Sequence, residues 1–156
     1  MTKAAPYNQE FVKFISYLKE IDIVTKILIT RVEHIYNLCT DMCPEKIEDI
    51  FITDYVKADG TREYENLWFF SKGYCLEAKG FLSQINLDIT PLKNRINYWT
   101  ITIQDFDFKK ASENSRLTLA FNTVQEIHGN YKAAKRNCDY LNIIINKYVK
   151  PNLVPL

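Results

Sequence analysis

Glycine and proline are scarce in this chain, with four and five among 156 residues, and histidine occurs twice. So little glycine and proline, with no low-complexity tract and 13% aromatic residues, excludes a collagen-like or intrinsically disordered chain. An excess of one charge sign is missing too, since 20 Lys and Arg face 19 Asp and Glu for a formal net charge of +1. That balance provides neither the electrostatic footprint of a dedicated nucleic-acid binder nor an acidic solvating tail. Long apolar runs are absent: no apolar stretch, residues 27–29 included, approaches the roughly 20 residues needed to span a bilayer. Residues 1–6 hold one Lys and no apolar run, so a signal peptide is not expected and the protein is expected to be cytoplasmic.

In such a compartment Cys39, Cys43, Cys75 and Cys138 are expected as thiols. Only Cys39 and Cys43 are close, and their C-x3-C spacing is not that of a zinc knuckle, so no metal site and no cofactor are expected.

What is present is periodicity of two kinds. Residues 8–39 contain no Gly or Pro. There Phe11, Phe14, Ile15, Leu18, Ile21, Val24, Leu28, Val32, Ile35 and Leu38 recur at steps of three or four, predicting an amphipathic helix. Asn8 is a plausible N-cap, and the β-branched cluster Ile21, Ile23, Val24 and Thr25 lowers local propensity, so the segment is either one long helix or two helices bent near 20–23. After Pro44 the period shortens to two. Strands are predicted at about 48–57, 63–71, 74–81, 85–90, 96–105, 115–122 and 124–129, with Asp59-Gly60, Lys72-Gly73 and His128-Gly129-Asn130 as turns. The phase change between Ile103 and Phe106 predicts a bulge or strand end near Asp105. A final amphipathic helix over 134–149 places Cys138, Leu141, Ile144, Ile145 and Tyr148 on one face, and Pro151 stops it. Trp68, Phe70, Trp99, Ile101, Leu117, Leu119, Leu141 and Ile145 are the expected core.

Motifs for chemistry are missing. His34 and His128 lie 94 positions apart, and there is no nucleophile elbow, zincin helix, P-loop or dinucleotide-binding glycine motif. Glu48 and Asp49 point to opposite faces of a strand, whereas Asp105 and Asp107 share one and alone could converge on a metal or sugar; with no His nearby, a solvated, charged sheet edge is the expected reading. An enzyme is not expected.

Seven short antiparallel strands followed by one amphipathic helix, with the stretch Trp68-Phe69-Phe70-Ser71-Lys72-Gly73-Tyr74-Cys75-Leu76 as a hairpin, resembles the pleckstrin-homology-like barrel over about 47–153. The resemblance implies two bent, packed sheets with the last helix plugging one end. Lipid-binding members of that family hold inositol phosphates with a Lys near the end of the first strand and Arg-x-Arg at the start of the second. Lys57 and Arg62 match, but Tyr64 stands at the second Arg, and 41–66 carries eight acids against three bases. Lys72 lies in the next turn, and Lys132, Lys135 and Arg136 form a second basic cluster flanked by Tyr131 and Tyr140. These six cations are the candidate ligand-binding residues, for an anionic headgroup, a small anion or, less favoured by the overall charge, nucleic acid.

The expected protein is α+β: an N-terminal helical segment (1–44), a seven-stranded barrel with a C-terminal capping helix (45–156), and one compact domain overall. Its expected role is a non-enzymatic protein-interaction module that binds a protein partner or itself through the N-terminal helix or a sheet edge. Membrane-surface contact is a lesser alternative.

Overall fold

The computed structural model describes residues 8–56, 62–80, 84–93, 95–103, 115–121, 126–131 and 135–154. The turn at Asp59-Gly60 and the pair Asp105 and Asp107 lie outside them.

The N-terminal segment is helical but broken. It consists of α1 (Gln9–Val12), α2 (Ile15–Glu20) and α3 (Lys26–Met42). Asn8 caps α1 as expected, its side chain accepting from the Glu10 N–H at 2.9 Å. The bend falls at 21–25 and is a Schellman turn. Asp22 takes a positive φ of 69°, the Ile23 N–H reaches the Leu18 carbonyl at 2.8 Å, and the Asp22 N–H reaches that of Lys19 at 3.1 Å. Ile23 and Leu18, the two apolar residues of this motif, are both buried. Thr25 then caps α3 through its side chain. Val24 and Leu38, expected on the inward stripe, are exposed, and Leu28 is only half-buried. Val24 lies in the turn itself, and two successive steps of three past buried Val32 carry Leu38 about 120° around the helix, off the inward face. The inward face of α3 is Ile29, Val32, Ile35, Tyr36 and Cys39.

All seven strands form: β1 (Asp49–Val56), β2 (Arg62–Phe70), β3 (Tyr74–Lys79), β4 (Asn86–Pro91), β5 (Ile96–Ile103), β6 (Ser115–Phe121) and β7 (Glu126–Tyr131). They make a four-stranded antiparallel sheet in the order β1-β2-β3-β4 and a three-stranded one in the order β5-β6-β7. His128-Gly129-Asn130, expected as a turn, instead continues β7 opposite Thr118, Leu117 and Arg116, because ladder pairing outweighs the local preference of Gly and Asn. A register shift in β5 lies between Ile96 and Tyr98, and β5 ends at Ile103; Asp105, near which a bulge or strand end is expected, lies outside the described residues. A second shift, between Ile52 and Asp54, is spanned by the Thr53 hydroxyl, which accepts from the Asn66 N–H at 3.0 Å.

Register sorts the larger sheet into two faces. Ile52, Leu67, Ala78 and Leu87 lie in one cross-strand row and Ile50, Phe69, Leu76 and Ile89 in another on the same side. This side is covered by the N-terminal helices: Tyr36 of α3 lies 6.0 Å from Phe69. Tyr17 of α2 accepts a hydrogen bond from the Ile52 N–H at 3.0 Å, and Tyr64 of β2 donates to the Ile21 carbonyl at 2.6 Å. The opposite side carries Phe51, Trp68, Glu77 and Asp88 in one row, and Phe70 stacks on Tyr148 at 5.0 Å.

The C-terminal helix α4 (Lys135–Ile144) is shorter than predicted. It widens into a π turn (Ile145–Val149) and tightens into a 3-10 turn (Lys150–Asn152) that contains Pro151. Proline has no N–H and its ring clashes with the carbonyl four residues back, so the ordinary ladder cannot run through 151. The Lys150 N–H bonds to the Ile145 carbonyl instead. The buried stripe Leu141, Ile144, Ile145, Tyr148 and Val149 persists across the change. Trp68, Phe70, Leu141 and Ile145 of the expected core are buried, as are Phe14, Leu18, Ile21 and Ile35 of the N-terminal stripe.

Candidate functional site

Helix α3 has a second apolar stripe that faces solvent. Ile27, Arg31, His34, Leu38 and Met42 follow steps of four, three, four and four, which keeps them on one flank of an α-helix. Ile27 is 82% exposed, Leu38 51% and Met42 47%. Three large apolar side chains, Ile27, Leu38 and Met42, are thus open along one flank of α3, with Arg31 and His34 between them.

The geometry of the sheet accounts for the opening. Four strands about 4.8 Å apart span roughly 14 Å between outer strand axes, more than a helix about 10 Å across can cover. Helix α2 sits by β1 through Tyr17 and by β2 through Tyr64, and α3 packs on β2 through Tyr36. The β4 side is left thinly covered: Ile85, Leu87 and Ile89 are half-buried. Between α3 and Ile85 runs a groove of about 470 Å³, whose lining includes Lys26, Ile27, Thr30, His34 and Leu38. Two of its lining residues, Lys26 and Arg31, are cations, and among the described residues no carboxylate lines it.

The residues singled out in the sequence fare differently. Lys57 and Lys132 lie outside the described residues. Arg62 begins β2, and Lys135 and Arg136 begin α4. Lys72 is exposed in the β2–β3 turn at a cleft of about 460 Å³ that Glu48, Lys147 and Asn152 also line. Sequence reasoning did not pair Lys72 with Lys147, which lies 75 positions away. Lys147 is already bound to Asp49 at 2.7 Å, and Asp49 also accepts from the Tyr148 hydroxyl. Burial, and then the bond to Asp49, raise the Tyr148 phenol above its ordinary range, so it stays a donor. Tyr140, a candidate stacking platform, packs edge-on against Tyr17 at 4.3 Å and donates to Glu20 at 2.8 Å, so its ring serves the helix interface.

A polar cluster lies on the Trp68 side of the larger sheet. Asn66 donates to Glu77 at 2.9 Å, and Lys79 bridges to Asp88 at 3.0 Å. Burial is the main cause that pushes the Glu77 carboxyl up to about 7. Trp68, 2% exposed and opposite Glu77, has no hydrogen-bond partner for its indole N–H among the described residues. Among the described residues no three His, Cys, Asp or Glu side chains gather as a metal site, and no helix is long and apolar enough to cross a membrane.

Compared with protein-family models, curated proteins and solved structures, the chain matches none.

Proposed function

We propose that this chain is a non-enzymatic protein-interaction module whose docking surface is the open flank of α3 and the adjoining β4 side of the sheet. The observation that carries this reading is the exposed stripe of Ile27, Leu38 and Met42 beside a groove walled by Ile85. An amphipathic segment laid there would complete the helical layer that α2 and α3 leave unfinished. We further propose that the seven strands close into a pleckstrin-homology-like barrel. Support comes from the four-plus-three strand order, the proximity of β1 to β7, and a final helix that touches both.

Replacing Leu38 with a photoreactive benzophenone amino acid, in cells that make the protein, tests the interaction. A discrete covalent adduct to another polypeptide is expected at position 38 and not at the exposed control Lys150. No adduct, or equal labelling at both positions, would remove the α3 flank as a docking surface.

A further inference from the structure

We infer that the occupant of the α3 groove is a second copy of this chain, paired through α3 with its own α3 in antiparallel orientation about a two-fold axis near His34. This rests on the docking surface proposed above and names its partner.

The stripe is close to palindromic. Antiparallel pairing centred at His34 sets Ile27 opposite the 41–42 end of the other helix and Arg31 opposite its 37–38 region. Apolar Ile27 and Met42 then meet at each end, and the Leu38 side chain lies on the aliphatic stem of Arg31. Such reciprocal contacts are what an isologous interface requires.

Charge agrees with this orientation. Lys26 and Asp41 are both exposed and occupy the same flank of the stripe, at its two ends. A two-fold axis perpendicular to antiparallel helices brings like flanks together, so each Lys26 falls within a turn of the other copy's Asp41. A parallel pair, whose two-fold runs along the helices, would put like flanks on opposite sides and keep Lys26 and Asp41 at different heights, so neither charge would meet its opposite. One helix flank offers much less than the roughly 800 Å² per partner of a standard interface, so the dimer is expected to form reversibly as concentration rises.

The charge pair supplies the test. Within one chain Lys26 and Asp41 are 15 residues apart, about 22 Å along the helix and beyond a Debye length of about 8 Å at physiological salt. They therefore cannot compensate each other inside one copy. Sedimentation velocity of the full chain over about 1 to 200 µM is expected to show a monomer–dimer equilibrium. Lys26→Glu or Asp41→Lys should each weaken it about fivefold, and the double variant should restore it. Leu38→Glu should weaken it more than about tenfold, while its melting curve shows the fold intact because the site is exposed. A wild type monomeric throughout, a dimer indifferent to Leu38→Glu, or a double variant no better than the singles would each overturn the pairing. If the protein is monomeric but position 38 still photocrosslinks to a different polypeptide, self-pairing fails and the interaction module stands. Absence of both signals sinks both.

Discussion

At the scale of single residues, environment separates groups that look alike in the sequence. Cys39 and Cys75 are buried, and that burial pushes the Cys39 thiol up to about 12 and also raises Cys75, whereas Cys43 is only half-buried. Brief iodoacetamide treatment of the native protein near pH 8, followed by peptide mass mapping, is therefore expected to modify Cys43 before Cys39 or Cys75. Equal rates at Cys39 and Cys43 would mean that the inward face of α3 is not packed. Glu77 gives a pH dependence. Its folded value near 7 lies above its ordinary 4.5, so the native state holds a proton that the unfolded chain releases in between. The stability it contributes is complete below about 4.5 and is lost as pH rises through about 7, by roughly 1 to 3 kcal/mol. Glu77→Gln keeps an acceptor for Asn66 and removes the titration, so its stability should fall less than wild type's between those pH values. Parallel profiles for the two proteins would count against a buried carboxyl at this position. None of this was legible in the sequence: Glu77 reads there as the polar member of an alternating strand, and its burial follows from what packs across the sheet.

At the scale of elements, periodicity located every strand and the terminal helices, because each repeat length is imposed by backbone geometry. It lost the helix breaks, which depend on single residues. The sequence shows the change at 21–25 only as a bend; Val24 turns outward because the chain leaves the helix there, whereas Leu38 turns outward because two steps of three past Val32 carry it off the buried face. This is also why the candidate site was half visible. The N-terminal helix reads from the sequence as an interaction element, but of the stripe that faces solvent only Leu38 belongs to the apolar periodicity, and it is expected there on the inward side. The α-to-π transition near Pro151 was hidden for the same kind of reason, since its apolar stripe continues unbroken. A substitution pair probes the Schellman turn. Asp22→Gly should leave stability unchanged or raise it by up to about 1 kcal/mol, because glycine reaches positive φ without a Cβ clash. Asp22→Val should lower it by at least about 1 kcal/mol, since a β-branched residue is a true outlier there. Equal melting temperatures for the two variants would show that residue 22 is not held in that conformation.

At the scale of the whole molecule, the question is whether the N-terminal helices are an appendage or part of the core. Phe11, Phe14, Tyr17, Leu18, Ile21, Ile23, Ile29, Val32, Ile35, Tyr36 and Cys39 are buried in the same cluster as Ile50, Ile52, Leu67, Phe69 and Leu76 of the sheet. Burying each large apolar side chain contributes about 1.5 to 3 kcal/mol, so removing such a set withdraws more than the roughly 5 to 15 kcal/mol by which a domain is stable. It also uncovers one face of a four-stranded sheet and the Ile52 N–H that Tyr17 accepts. A fragment spanning 41–156 is therefore expected to lose cooperative unfolding and to aggregate. At the other end of the chain, Leu141→Ala in the full-length protein should cost about 2 to 5 kcal/mol, because Leu141 is buried on the inward stripe of α4. The two measurements separate the possible architectures. If both lose stability as expected, one core joins the N-terminal helices, the larger sheet and α4. If 41–156 melts cooperatively while Leu141→Ala remains costly, the sheets and α4 fold as a unit and the helices are an accessory layer. A loss under about 0.5 kcal/mol for Leu141→Ala in a denaturant melt would take α4 out of the core altogether and leave the sheet without the helix that covers its Trp68 side.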